Sequence, residues 1–222
     1  MCGFISVLSN GIIKDIDKER FKQASDLLIH RGPDDTYQTE HKSYFSVFHR
    51  LSIRDLSIQS RQPLLTNCGR YNFCFNGEIY NMRELNDLFP ETKTLKSDTL
   101  AISYLISSLG IDSINYLRGM FAISIYDKLN SKLYLCRDAF GIKPLFYLRN
   151  LNDRFFVAAS EIKALLKLID SKKPDLNQCM RFLMMGVSND NNDTFFKDIK
   201  SVPKGFILEV NNKLEIKYNK LK

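Results

Sequence analysis

The second residue concentrates more reactive chemistry than any other position in the chain. Cys2 follows Met1, and a methionine ahead of a small side chain is the kind an aminopeptidase removes. Cleavage would leave one residue carrying both a thiol and a free α-amine. An α-amine with a reference pKa of ~7.7–8.0 accepts a proton near neutral pH, and a thiol near ~8.5 is an intrinsically strong nucleophile. One residue would then supply nucleophile and base together. Taken alone, Cys2 is better read as merely a small residue near a chain end. The other route to an activated sulfur is a neighbouring imidazole, for which the chain offers His30, His41 and His49. The sequence excludes none of them. His30 and His49 each precede an arginine in a turn or strand-end setting, where a structural hydrogen bond is the commoner role.

A nucleophile at residue 2 works only if the fold holds the chain end. Residues 3–8, GFISVL, have the apolar and β-branched content of a buried strand beginning almost at the first residue. Helical spacing over 17–30, with Phe21, Ala24, Leu27 and Leu28 on one stripe, ends at HRGPDD, and a strand follows at 44–49. A strand at 71–75 runs into the turn-rich NGEIYN, and 80–89 resumes helical spacing. Ser97 and Asp98 stand where a helix cap belongs, ahead of the apolar stretch 100–109. Short β-rich runs at 120–126, 132–136, 144–148 and 154–158 read together as one antiparallel meander. Helical pattern returns at 161–169 and 176–185, and a hairpin-like pair at 206–210 and 214–218 closes the chain. Strands and helices are grouped rather than strictly alternating, so the expected class is α+β with mixed or antiparallel sheets.

Composition sets outer bounds. A chain of 222 residues, 44% hydrophobic and 26% charged, buries a sizeable core. No apolar run approaches the ~20 residues of a membrane span and no secretion signal is visible, which places the expectation in the cytoplasm without membrane contact. Five cysteines (Cys2, Cys68, Cys74, Cys136, Cys179) are scattered without CxxC spacing, so no disulfide framework or zinc site is expected, and the last four read as buried thiols. The +7 charge comes from 32 basic residues interspersed with 25 acidic ones, which gives no stripe for nucleic acid.

Nine collinear segments carry a resemblance: MCGF at 1–4, RGPD at 31–34, HRLSI at 49–53, QPL at 62–64, FNGEIYN at 75–81, SD at 97–98, GMFAI at 119–123, RDAFGIKPLFY at 137–147 and ASEIKAL at 159–165. Together they resemble the glutaminase domain of the asparagine synthetase family, a class II glutamine amidotransferase of the N-terminal nucleophile hydrolases. The resemblance implies a four-layer αββα sandwich. It also implies that Cys2 attacks the side-chain amide of L-glutamine, with the Asn76 amide and the Gly77 N–H as oxyanion donors. For the zwitterionic substrate it implies Arg50 on the carboxylate, Asp98 and Glu78 on the ammonium, and a cradle of backbone groups from Leu51, Ser52, Ile53 and Arg54. Arg31 to Asp34 are expected to form a turn under the site, and Arg137, Asp138 and FGIKPL to hold the sheet core and a partner-facing surface. The chain departs from the family pattern at Arg54, usually aliphatic, and at Leu100, commonly acidic.

An asparagine synthetase also has an ATP-pyrophosphatase domain with an SGGLDS-type phosphate loop, and this sequence has none. The expectation is a glutaminase domain over residues 1–200, a C-terminal hairpin or adaptor over 201–222, and a separate synthetase domain or subunit that receives the ammonia. ATP and magnesium are expected only in that synthetase part, and no cofactor in this chain. Rival readings are an inactive interaction module that keeps the fold, amide hydrolysis on another substrate, and a glutaminase serving a different acceptor such as a surface sugar. Intact Cys2, Asn76, Gly77, Arg50, Glu78 and Asp98 favour a working glutaminase acting on glutamine over the first two rivals.

Overall fold

A computed structural model describes the chain except Arg54, Asn189, Asp190 and the side chain of Asn150. Its strands in chain order are β1 (Gly3–Ser9), β2 (Asp35–His41), β3 (Tyr44–Arg50), β4 (Leu64–Leu65), β5 (Tyr71–Ile79) and β6 (Gly119–Asp127), then β7 (Lys132–Arg137), β8 (Phe146–Leu151), β9 (Phe155–Ala159), β10 (Ile199–Ser201), β11 (Phe206–Val210) and β12 (Ile216–Lys220). They form two six-stranded sheets, ordered β10-β8-β9-β1-β3-β2 and β12-β11-β7-β6-β5-β4. Every named strand pair is antiparallel.

Side-chain alternation on β1 shows why the layers stack. Phe4 and Leu8 point into the core between the sheets, while Ile5 and Val7 point to the outer face of the first sheet. A strand buried on both faces must read as a continuous apolar run, which GFISVL does. Phe21 and Ala24 of α1 (Asp15–Asp26) and Ala164 and Leu165 of α4 (Ile162–Leu166) cover the first sheet. Leu85 of α2 (Met82–Leu88) and Ile102, Leu105 and Ile106 of α3 (Asp98–Leu109) cover the second. The result is helix, sheet, sheet, helix, the αββα sandwich. A fifth helix, α5 (Leu176–Met185), buries only Gln178.

Ser97 caps α3 as the sequence suggests, its Oγ accepting from Leu100 N at 3.3 Å. The expected four-stranded meander is not one unit. β6 and β7 belong to the second sheet and β8 and β9 to the first. Asp138, fully buried, accepts the N–H groups of Phe121, Phe140, Ile142 and Lys143 and so turns the chain from one sheet to the other. Local β-propensity cannot reveal that crossing. In the last hairpin, Asn211 Oδ1 accepts from Lys213 N and Glu215 N, which closes a turn and delays the final strand to residue 216 from the expected 214. The inner strand of that hairpin pairs with β7.

Candidate active site

Cys2 precedes β1 and its side chain packs against the inter-sheet core. Across the gap, Asn76 follows Cys74 by two residues on β5, so it shares the inter-sheet face on which Cys74 lies. The two sheets therefore bring residues 2 and 76 to one end of the core. Between them opens a cavity of about 380 Å³ whose wall includes Cys2, Arg50, Leu51, Ile53, Asn76, Gly77, Glu78 and Asp98.

The sulfur is held by backbone: Leu51 N donates to Cys2 Sγ at 3.4 Å and the thiol faces Leu51 O at 3.7 Å. Beneath it, Arg31 donates from Nε to Cys2 O at 2.9 Å and from Nη1 to Glu161 at 2.8 Å. The turn residue of the sequence reading is thus a clamp on the carbonyl of Cys2. Gly32 beside it is fixed by close approach, since a Cβ there would lie 2.2 Å from His49 O. Burial pushes the Cys2 thiol above its ordinary value, against the Leu51 N–H, the terminal amine, Arg50 and Arg31, which pull it down. A thiol raised in this way would need a base to act as a nucleophile.

Histidine does not supply one. His49 is buried with Nε2 on Ser25 at 2.8 Å and Nδ1 on Thr36 at 2.9 Å. His30 lies on Glu161 at 3.0 Å, and the His41 ring is tilted against that of Tyr126, its Nδ1 3.4 Å from the Tyr126 hydroxyl. None lines the cavity.

The two residues expected to hold an oxyanion, Asn76 and Gly77, lie on β5. Asn76 is 2% exposed, and among the described residues its Nδ2 has no hydrogen-bond partner. A buried amide donor left unpaired costs about 1–3 kcal/mol, a cost accepted where a ligand will pair it. Phe75 N donates to Gln62 Oε1 at 2.5 Å and Ile79 N to Asp98 Oδ2 at 3.4 Å. Backbone groups alternate along a strand, so the N–H of Gly77 between them aims out at the same edge, into the cavity. Gly77 is obligatory for a different reason than ligand approach: a Cβ would meet Met120 O of β6 at 2.3 Å.

The cation and anions stand farther along the wall. Arg50, 6% exposed, donates from Nη1 to Ser57 O at 3.0 Å and from Nη2 to Asp55 O. Burial opposes the charge on Asp55, but hydrogen bonds from Ser60 and Ser57 outweigh it and hold its carboxyl at about 2. That anion anchors the 55–60 loop around Arg50. Asp98 also accepts from Thr99 N at 3.0 Å. Of the expected backbone cradle, Leu51 and Ile53 line the cavity, whereas Ser52 N donates to Asp34 at 2.7 Å and Arg54 lies outside the described residues. Gln62 and Asp55 also belong to this region with no role expected from sequence, and Lys143, expected with FGIKPL in the sheet core or on a partner-facing surface, lines the cavity instead. Only the QPL segment offered a signal for Gln62.

Two stacked antiparallel sheets between helical layers, with the chain's second residue at the end of the inter-sheet core, define an α+β sandwich of the N-terminal nucleophile hydrolase type. A family model described as a glutamine amidotransferase domain matches residues 1–219, and the chain belongs to that family. Asparagine synthetase [glutamine-hydrolyzing] 2 of Bacillus subtilis is 34% identical across 95% of this chain and 29% of its own length. Asparagine synthetase [glutamine-hydrolyzing] 1 of the same organism is 37% identical across 82% of this chain and 30% of its length. The chain thus spans under a third of these relatives. The solved structure of glutamine phosphoribosylpyrophosphate amidotransferase from B. subtilis, complexed with ADP and GMP, superposes with a TM-score of 0.68 at 19% identity. It covers all of this chain and 49% of that one, a likeness of fold alone.

Proposed function

We propose that the domain hydrolyses L-glutamine to glutamate and ammonia through a thioester on Cys2, after removal of Met1. The orphaned Nδ2 of Asn76, facing the same cavity as the Cys2 sulfur, is the observation that carries this reading. In the proposed sequence the thiol proton passes to the Cys2 α-amine and the sulfur attacks the side-chain carbonyl carbon of glutamine. Asn76 and Gly77 N–H hold the oxyanion. Collapse breaks the C–N bond, and the ammonium of Cys2 returns its proton so that ammonia departs. Water then attacks the thioester, the amine takes the proton from that water, and glutamate leaves with the thiol restored. Arg50 receives the substrate carboxylate and Glu78 and Asp98 its ammonium.

The ammonia goes to a synthetase domain or subunit of the kind its relatives' names describe. ATP and magnesium would act there, and this chain's own step calls for neither. Among the described residues no helix is long and apolar enough to cross a membrane. A free thiol nucleophile suits the reducing cytoplasm. The test is intact mass and turnover together. Trimmed protein should lose Met1, take one equivalent of a glutamine-mimicking alkylator on Cys2, and release glutamate from L-glutamine, with Cys2→Ala silent in both assays. Turnover that survives Cys2→Ala overturns the reading.

A further inference from the structure

Lys143 sits in the loop that carries the chain from the second sheet to the first, and it lines the cavity together with Cys2, Asn76, Gly77 and Glu78. Its position is fixed through the backbone. The N–H donates to Asp138 Oδ2 at 3.0 Å and the carbonyl accepts from Arg137 Nε at 2.8 Å. The residue is 6% exposed, and a lysine ammonium, a compact and strongly hydrated charge, is seldom buried without a counter-ion. Here, among the described residues, Nζ forms no ion pair. Its one hydrogen bond runs to the thioether of Met1 at 3.2 Å, a weak acceptor. That acceptor lies on the residue whose removal the proposed chemistry requires.

Of the other cations nearby, Arg50 on the cavity wall is taken up by the carbonyls of Asp55 and Ser57, and Arg31 beneath Cys2 donates to Cys2 O and pairs with Glu161. Trimming therefore leaves Lys143 as a buried ammonium that faces the cavity without its partner. We propose that Lys143 is a further positioning residue of this site: once Met1 is gone, its fixed charge faces the new α-amine of Cys2 and keeps that amine in the neutral, proton-accepting form. The inference rests on the glutamine-hydrolysis reading above.

The charges around the amine and Lys143 act in both senses. Arg31 and Arg50 act with Lys143, whereas Asp34, Glu78 and Asp138 oppose it, as does the Cys2 thiolate once formed. In the untrimmed chain the Met1 amine is already held below its ordinary value, by burial first, with Arg31 and Lys143 adding to it against Cys2 and Asp34. Lys143 itself is lowered, by burial first and then by Arg31, with Asp138, Glu78 and Cys2 acting in the opposite sense. The same repulsion speeds return of the proton from the Cys2 ammonium to departing ammonia. No bond to Lys143 is made or broken.

Trimmed full-length protein and its Lys143→Met and Lys143→Arg variants would be compared by kcat/KM for glutamate release against pH. Removing a like charge raises the amine's pKa, so the acid limb of K143M should move up by about one pH unit. Turnover below that limb then falls by up to about tenfold, with KM changed less than about twofold, while K143R stays close to wild type. An unmoved limb, or a loss uniform across pH, overturns the proposal while leaving the Cys2 chemistry standing. A trimmed wild-type protein that releases no glutamate sinks both. Should K143M not fold, Lys143→Gln and the pH dependence of Cys2 alkylation by iodoacetamide read the same shift without turnover. There the midpoint should rise on loss of the cation, and an unmoved midpoint overturns the proposal.

Discussion

At the scale of single residues, the site depends on groups whose hydrogen-bonding capacity is left unmet by the protein. Asn76 Nδ2 is such a group: buried, unpaired and on the cavity wall opposite the sulfur. On the proposed glutaminase reading, replacing Asn76 by alanine removes a donor that pairs fully only when the carbonyl oxygen of the substrate becomes an oxyanion. The expected outcome is a fall in kcat of about 10²–10³ with KM changed little, read by steady-state glutamate release. A large rise in KM at constant kcat would instead make Asn76 a ground-state binder. The sequence singles out Cys2 by its position and the other candidate-site residues through shared motifs. It does not disclose Lys143 or the clamp formed by Arg31, because a motif read as a turn or a core strand gives no sign of where a long side chain ends. His49 illustrates the converse, since its turn-side setting suggests a structural role and both ring nitrogens prove to be engaged by Ser25 and Thr36.

At the scale of elements, strands buried on both faces were easiest to read and edges hardest. GFISVL and YNFCF announce β1 and β5 by composition. β2, with the sequence DTYQTEH, escapes because it is the edge of its sheet and none of its residues is buried. The crossing after β7 escapes because it depends on a single buried carboxylate at Asp138. The β6–β7 hairpin depends on another. Asp127 is 1% exposed and accepts from Arg70 Nε at 2.9 Å and Nη2 at 2.6 Å, from Leu129 N and Asn130 N, and from Asn130 Nδ2. Burial works against its charge, but Arg70 and Asn130 outweigh burial and hold the carboxyl below its ordinary range. A depressed folded-state pKa means the contribution is complete above the unfolded value near ~3.9 and fades as pH falls through the lower folded one. Asp127→Asn should therefore cost about 2 kcal/mol at pH 7, a figure kept small because the Arg70 side chain is 37% exposed. Urea unfolding of both proteins should show that gap closing below about pH 4. A gap that persists at pH 3 would assign the loss to packing instead of charge.

At the scale of the whole molecule, the question is whether four layers open together or separately. The inter-sheet core is not uniformly apolar, because Ser6, Ser46, Ser124 and Cys74 form a hydrogen-bonded seam within it, Ser124 Oγ donating to Ser6 at 2.9 Å and Ser46 Oγ lying 3.3 Å from Cys74 Sγ. The cysteines sample every depth of the sandwich. Cys74 lies in that central core and Cys136 in the outer core beneath α2 and α3, and burial pushes both thiols up, Cys74 to about 12. Cys68, which the sequence suggested would be buried, is exposed. Burial of its thiol would raise the pKa, but hydrogen bonding with Ser107 and Thr66 leaves it below the ordinary value. Pulsed alkylation of native protein at neutral pH, read by peptide mass, should therefore label Cys68 well before Cys74 and Cys136, which stay protected until unfolding. If the seam and the two outer cores form one cooperative unit, Cys74 and Cys136 become reactive at the same rate and at the same urea concentration. Should Cys136 react well ahead of Cys74, α2 and α3 lift from the second sheet as an independent unit, and the wall holding Asp98 is then the less stable side of the site.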